Sequence, residues 1–283
     1  MAKIIDGKKI SQSLKDRVKA EVEKLKEEGI NPCLAVIIVG DDPASRVYVN
    51  NKKKACEYTG IKSLEYALPA STTQQELLKL IEKLNDDDEV NGILCQLPLP
   101  KTIDEKTVLN SINPEKDVDA FHPFNVGHIM IGDQTFLPCT PAGVIEMLDS
   151  CNIELTGKNC VVIGRSNIVG KPMAMLLLQR NATVTICHSK TENIADITRR
   201  ADLIVTAVGK VGFLTADMVK EGAVVIDVSI NRNSDGKLCG DADYENVEKK
   251  ASYITPVPGG VGPMTISVLM KNTLNAAKKQ NGR

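Results

Sequence analysis

Short apolar runs rich in β-branched residues recur along this chain, and each is followed by a segment with helical periodicity. The run 33–39 reads Cys-Leu-Ala-Val-Ile-Ile-Val and stops at Gly40. Comparable runs lie at 90–97, 159–164, 202–207 and 223–228. An apolar run without polar alternation describes a strand covered on both faces, as in a parallel sheet flanked by helices. Between the runs, Ile10, Leu14, Val18, Val22 and Leu25 recur at helical spacing before Gly29, predicting a helix over 10–28. Helices are likewise predicted over 45–59, closed by Gly60, and over 73–84 and 102–112, with a short strand at 64–68. The alternation pauses at 121–132, which is rich in Pro, Gly, His and Asn, and again at Pro138 and Pro141. It resumes with helices over 142–148, 170–179 and 192–200, a strand at 182–187, and a last helix over 265–279. The expected class is α/β in two domains: an N-terminal α/β catalytic domain, 1–139, completed by the C-terminal helix 264–283, and a Rossmann-like domain, 140–263.

Composition removes several classes of function. A net charge of -1 over 283 residues gives no basic face, so neither nucleic acid nor an anionic membrane is an expected partner. Aromatic residues make up 3% and tryptophan is absent, leaving no base-stacking platform. No apolar stretch approaches the roughly 20 residues that span a bilayer, and the N-terminus has no secretory core, so the expected location is the cytoplasm. The 8 cysteines form no CxxC pair and most sit in apolar stretches, which reads as reduced, buried thiols. With 3 histidines and no ligand spacing, no metal site is expected.

The turn Gly164-Arg165-Ser166-Asn167-Ile168-Val169-Gly170 joins a predicted buried strand to a helix. Glycine allows the tight turn and close approach that a pyrophosphate needs, and the helix N-terminus offers free N–H groups. Ser166 replaces the middle glycine of the dinucleotide fingerprint, so an ordinary strand-to-helix turn stays open as a reading. The next strand ends Cys187-His188-Ser189-Lys190, without the carboxylate that holds an NAD ribose. Arg165, Ser189 and Lys190 suit a 2′-phosphate instead, which favours NADP; the other reading of Ser189 and Lys190 is a solvated loop.

Tyr48 and Lys52 share one helix face, continued by Cys56 and Thr59, while Lys53 and Lys54 point elsewhere. Their helix begins just beyond the C-terminal end of the strand 33–39, the edge where open α/β sheets bind ligands. Gln96 ends another apolar run and requires a partner, either in a site or from backbone. Asp117 and Asp119 alternate in direction if extended, one toward a pocket and one toward solvent. The segment Pro256-Val257-Pro258-Gly259-Gly260-Val261-Gly262-Pro263-Met264-Thr265 is either a domain linker or a loop that permits close approach to a flat ligand.

Taken in order, Tyr48-Val49-Asn50-Asn51-Lys52, Gln96-Leu97-Pro98-Leu99-Pro100, Pro114-Glu115-Lys116-Asp117-Val118-Asp119, the turn from Gly164 to Lys171-Pro172, and Pro258 to Thr265 resemble the bifunctional methylenetetrahydrofolate dehydrogenase/cyclohydrolase family over nearly the whole chain. The resemblance implies two domains with a cleft between them, a homodimer, tetrahydrofolate one-carbon substrates and NADP. It assigns Lys52 as the family's catalytic lysine, Tyr48 as its neighbouring tyrosine, and Gln96 as the glutamine that contacts the lysine. Asp119 matches the aspartate that holds the pterin, and Leu97, Pro98, Pro258, Gly259 and Gly260 match further substrate contacts. Arg165 and Ser189 match the 2′-phosphate contacts. Gly164, Ser166, Ile168, Val169, Gly170, Ile230 and Thr265 match the rest of the cofactor site. Two positions depart from the pattern: Ala120 and Ser229 stand where the family usually has glycine.

The implied chemistry is loss of hydride from the methylene carbon of 5,10-methylenetetrahydrofolate to NADP, then attack of water on the methenyl product. The nearest alternative is a monofunctional dehydrogenase in which Lys52 only positions folate. A shikimate-type dehydrogenase would leave the Lys116-to-Asp119 and Pro258-to-Pro263 segments unexplained. A nucleotide-sensing protein that turns over no folate would not need Tyr48, Lys52 and Gln96 together.

Overall fold

A computed structural model describes residues 1–283, with Ala44 described by its backbone alone. Residue contacts divide the chain into two units, Gln12–Leu137 with Ile266–Arg283, and Met1–Ser11 with Pro138–Thr265. Both hold parallel sheet with helices between the strands, which is the α/β class that the alternating runs predict.

The chain opens with β1 (Lys3–Ile4) and α1 (Gly7–Glu27), whose Leu14, Val18, Val22 and Leu25 are buried. Next come β2 (Cys33–Val39), α2 (Pro43–Thr59), β3 (Lys62–Leu68), α3 (Gln74–Asn85), β4 (Gly92–Cys95) and α4 (Glu105–Ser111). The order β3-β2-β4 is parallel throughout, with the wholly buried β2 in the middle, so that strand reads as continuous apolar sequence. The core on one side of this sheet joins Ile37, Val39, Ile93 and Cys95 to Leu77, Ile81 and Leu84 of α3. Residue 117 adds a parallel bridge to Ile93, and the chain then turns, with Ala120 N donating to Asp117 O at 3.0 Å.

The Pro- and Gly-rich stretch at 121–132 is a helix, α5 (Pro123–Ile131), where the sequence suggests a pause. Its punctuation is end chemistry. His122 caps the first turn through its ring nitrogen, Pro123 occupies the first helical position, and Gly132 closes the helix at φ 76°. The other unit continues with α6 (Cys139–Ser150), β5 (Asn159–Ile163), α7 (Gly170–Gln179), β6 (Thr183–Cys187), α8 (Ile194–Thr198), β7 (Leu203–Thr206), β8 (Val224–Asp227), β9 (Asn231–Arg232), β10 (Leu238–Cys239), α9 (Tyr244–Val247) and β11 (Tyr253–Ile254); α10 (Val261–Gln280) starts in it and belongs from Ile266 onward to the unit that holds Gln12–Leu137.

Six strands form one parallel sheet in the order β1-β11-β8-β7-β5-β6. From β5 the chain passes outward to β6 and then back to β7 on the other side of β5. That reversal makes β5/β7 a topological switch point, where an open α/β sheet forms a ligand crevice at its C-terminal edge. Met1–Ser11 groups with this unit because β1 pairs with β11. Ile266–Arg283 groups with the other unit, where Asn272 Nδ2 donates to Val118 O at 2.8 Å and Asn91 Nδ2 donates to Gln280 Oε1 at 2.8 Å. No helix among the described residues is long and apolar enough to cross a membrane. Burial pushes the thiols of Cys56, Cys95 and Cys160 up to about 12, which leaves them protonated and unreactive near neutrality.

Candidate active site

Helix α2 forms because Asp42 accepts from Ser45 N at 2.7 Å, Pro43 starts the first turn, and Gly60 ends the last at φ 78°. Its packed face carries Ser45, Val49, Lys52, Cys56 and Thr59, all buried. Lys52 is 7% exposed, whereas Lys53 and Lys54 are exposed. A buried ammonium is costly unless hydrogen-bonded, and Lys52 Nζ donates to Gln96 Oε1 at 2.7 Å. Gln96 directly follows β4. Its backbone N–H donates to Ile37 O at 2.8 Å, and its Nε2 donates to Leu97 O at 2.7 Å. The glutamine thus has both ends of its amide occupied, and its oxygen fixes where the lysine nitrogen sits. Tyr48, one turn before Lys52, is 39% exposed; Val49 takes the packed position beside it. Leu97 is half-buried and Pro98 exposed.

The expected alternation of Asp117 and Asp119 does not arise from strand geometry: residues two apart in an extended segment share a face, and here the chain turns after Asp117. Asp117 is 2% exposed and accepts from His122 N and Asn125 Nδ2, each at 2.8 Å. Burial nevertheless pushes its carboxyl upward in pKa. Asp119 is half-exposed. Ala120, the first departure from the family pattern, is buried at φ 57°, a left-handed conformation that glycine adopts freely. Of the sequence positions, Lys52 and Gln96 are brought together at the C-terminal end of β4, where Leu97 and Pro98 follow; Tyr48 lies one turn before Lys52 on α2, and Asp119 lies in the turn after the bridge to Ile93.

In the other unit, the strand-to-helix turn uses its glycines for close approach. A Cβ on Gly164 would lie 2.6 Å from Ala207 O, and one on Gly170 would lie 2.3 Å from Gly164 O. Ser166, in place of a middle glycine, caps the turn: its Oγ accepts from Val169 N at 3.1 Å and Gly170 N at 3.3 Å. Arg165, Ser166, Asn167 and Ile168 are exposed at the N-terminus of α7. The register pairs Ile163 with Cys187, so Arg165 and Ser189 lie in the turns just beyond neighbouring strand ends; both are exposed, and neither 164–170 nor 188–190 holds an acidic residue. These residues fit a phosphorylated dinucleotide: a glycine-tight turn, a helix N-terminus for the pyrophosphate, and an exposed guanidinium and hydroxyl in the turns after two paired strands.

The glycines of 258–260 serve contact within their own unit. A Cβ on Gly7 would lie 1.8 Å from Gly260 O, one on Gly260 would lie 2.5 Å from Pro256 O, and Lys8 N donates to Gly259 O at 3.2 Å. Pro258 stays exposed. Ile230 is 44% exposed, and the Thr265 hydroxyl lies 3.0 Å from that of Thr140. Ser229, the second departure, is engaged: its hydroxyl donates to Asp241 Oδ2 at 2.7 Å and accepts from Gly209 N at 3.1 Å. Sequence reasoning missed Gly7 and Asp241. A glycine opening α1 was a usable signal for the first; for the second no local signal exists, because its partners lie 10 to 35 residues away.

Two family descriptions match: tetrahydrofolate dehydrogenase/cyclohydrolase, catalytic domain, over residues 5–119, and the NAD(P)-binding domain of the same enzymes over residues 138–281. The chain belongs to the tetrahydrofolate dehydrogenase/cyclohydrolase family. Among curated relatives, the bifunctional protein FolD of Acetivibrio thermocellus is 63% identical over 279 residues, covering 99% of this chain and 98% of that protein. Bifunctional FolD from Campylobacter jejuni has a crystal structure with TM-score 0.97 at 55% identity, covering 99% of each chain. FolD from Trypanosoma brucei, solved with NADP and an inhibitor, gives a TM-score of 0.95 at 39% identity, covering 100% of this chain and 99% of that one. As a family member the chain is an enzyme of folate one-carbon chemistry with an NAD(P)-binding domain, and both family domains are present.

Proposed function

We propose that this enzyme oxidises 5,10-methylenetetrahydrofolate to the 5,10-methenyl form with NADP and hydrolyses that product to 10-formyltetrahydrofolate. The observation that carries the reading is Lys52, whose side-chain nitrogen is held on the packed face of α2 and aimed by the Gln96 amide. Buried ionisable groups held by a specific partner at a sheet's C-terminal edge are functional-site candidates.

Bound NADP supplies the hydride acceptor. The chain's own residues bind, orient and move protons. Arg165 and Ser189 receive the 2′-phosphate, and the turn from Gly164 to Gly170 receives the pyrophosphate, with Ile168, Val169, Ile230 and Thr265 as further contacts. Asp119 accepts from the pterin N–H groups, and Leu97, Pro98 and the loop 258–260 contact the folate. Loss of hydride leaves a methenyl cation; water adds to that carbon and loses one proton, and the resulting carbinol becomes the formyl group as its bond to N5 breaks and the hydroxyl proton passes to N5. Lys52 Nζ is the atom that takes and returns protons in this addition, and Gln96 fixes its position. Tyr48 contacts substrate from the next turn of α2.

The chain acts in the cytoplasm, in keeping with its free and mostly buried cysteines. It acts as a homodimer, in keeping with β6 at a sheet edge, where Ile186 is 36% exposed. The test of function is the absorbance of the protein mixed with 5,10-methylenetetrahydrofolate and NADP or NAD in separate cuvettes. Growth of the reduced-nicotinamide band with NADP and little with NAD is the expected result, with the methenyl band showing whether hydrolysis keeps pace. No band with either cofactor would overturn the reading. A persistent methenyl band would reduce it to a monofunctional dehydrogenase.

A further inference from the structure

Asp241 is fully buried, and its carboxylate gathers donors from two turns. Oδ2 accepts from Thr206 Oγ1 at 2.9 Å, Val208 N at 2.8 Å and Ser229 Oγ at 2.7 Å. Oδ1 accepts from Lys210 N at 2.7 Å and Asn231 Nδ2 at 3.1 Å. Thr206, Val208 and Lys210 belong to the end of β7 and the turn after it; Ser229 lies in the turn after β8 and Asn231 opens β9 directly beyond it. The two strands are parallel neighbours paired at Thr206 and Asp227, so both turns leave the same edge of the sheet.

The carboxylate is itself held from below. Asp227 accepts from Ala242 N at 2.8 Å and Ser229 N at 3.2 Å. A Cβ on Gly240 would lie 2.0 Å from Asp227 Oδ2, so only glycine lets the segment before Asp241 come this close. Between the donor positions, the turns present Val208, 38% exposed, and Ile230, 44% exposed.

A dinucleotide crossing the switch point places one half over β5 and β6 and the other over β7 and β8. The N–H groups of Val208 and Lys210 are turned down onto Asp241 and are not available to a phosphate. This end of the crevice therefore suits the uncharged or cationic half of the cofactor, the nicotinamide end. We propose that Asp241 is a positioning residue for that half of the site: one buried carboxylate sets the backbone of both turns, and Ser229 links them to each other. The proposal rests on the NADP reading above.

The experiment compares the wild-type protein with Asp241→Asn and Ser229→Ala. It measures NADP affinity by calorimetry, KM for NADP in the oxidation, and hydrolysis of 5,10-methenyltetrahydrofolate without NADP. Losing the charged acceptor is expected to weaken NADP binding and raise its KM about tenfold in Asp241→Asn. Removing one hydroxyl is expected to do so about threefold in Ser229→Ala. Hydrolysis without NADP is expected to stay within about twofold in both, which a general loss of fold would not allow. Ser229→Ala decides the matter if Asp241→Asn does not fold. NADP affinity within about twofold of wild type in every variant that folds, or hydrolysis falling in parallel with NADP binding, would overturn the proposal. A wild-type protein that binds no NADP would overturn the underlying reading as well, so the two failures are told apart.

Discussion

Replacing Lys52 separates fold from chemistry, because its side chain is long and apolar up to a single buried nitrogen. Methionine matches that shape and removes a charge whose burial is itself costly. Lys52→Met is therefore expected to keep the melting temperature within about 5 °C of wild type while abolishing hydrolysis of the methenyl product. A thermal scan and a hydrolysis assay on one preparation check both halves; near-normal hydrolysis would sink the role of Lys52. Ala120 poses a different question, since its methyl is buried in a left-handed conformation. Glycine there would relieve roughly 1–2 kcal/mol of strain. It would also forfeit about 0.8 kcal/mol of methyl burial and about 0.4–1 kcal/mol of unfolded-state entropy. Ala120→Gly should thus lie within about 1 kcal/mol of wild type, whereas the β-branched Ala120→Val should cost about 2 kcal/mol or more. Chemical denaturation distinguishes these, and a large gain from glycine would show a conformational strain well above roughly 2 kcal/mol.

Among the elements, α7 depends on one contact. Its first residue, Gly170, sits against the Gly164 carbonyl, where an added Cβ meets backbone at 2.3 Å and no side chain can yield. Gly170→Ala must push the helix N-terminus away from the turn that receives pyrophosphate. The expected outcome is a loss of NADP affinity of about tenfold or more, with hydrolysis in the absence of NADP retained. Unchanged NADP binding would remove this turn from the cofactor site. The same elements show why parts of the fold were legible. The strand 33–39 and the helix 170–179 are read to the residue, because an apolar run and a glycine punctuate them unambiguously. Lys52 was legible because four-residue spacing is a geometric rule, yet only the fold shows that Lys52, and not Tyr48, lies on the packed face. Helix α5 was missed because Pro123 and Gly132 cap a helix with the same residue types that mark a loop. Strands β1 and β11, two residues each, carry no periodicity and exist through their neighbours in the sheet. Asp241 escaped for a related reason: its meaning lies in partners that only the sheet brings together.

Across the molecule, the carboxyls that the fold shifts form two opposed sets, which pull stability in opposite directions as pH changes. Hydrogen bonds hold Glu76, Asp104, Asp202 and Asp217 below the usual carboxylate range, led by those from Thr73, Thr107, Lys220 and Thr215 respectively. Their contribution is present above the unfolded value near 4 and is lost as pH falls through the folded values. Burial, followed by the nearby Asp241 charge among the influences that raise it, pushes Asp227 up to about 6, and burial pushes Asp117 in the same direction. For these two the folded state prefers the proton, so their contribution is complete below about 4 and is lost as pH rises through the folded value. For Asp227 the difference of about two pH units corresponds to roughly 3 kcal/mol lost between about pH 4 and pH 7. The two arms meet in weakly acidic solution, so the melting temperature is expected to peak near about pH 5 and to fall toward neutrality. Asp227→Asn should flatten the neutral arm even though the amide opposes one of the N–H donors it faces, because the slope depends on titration and not on absolute stability. Thermal scans of both proteins from about pH 4 to pH 8 check this directly. A difference curve that stays flat through about pH 6 would mean that Asp227 keeps its charge in the fold and that its hydrogen bonds outweigh its burial.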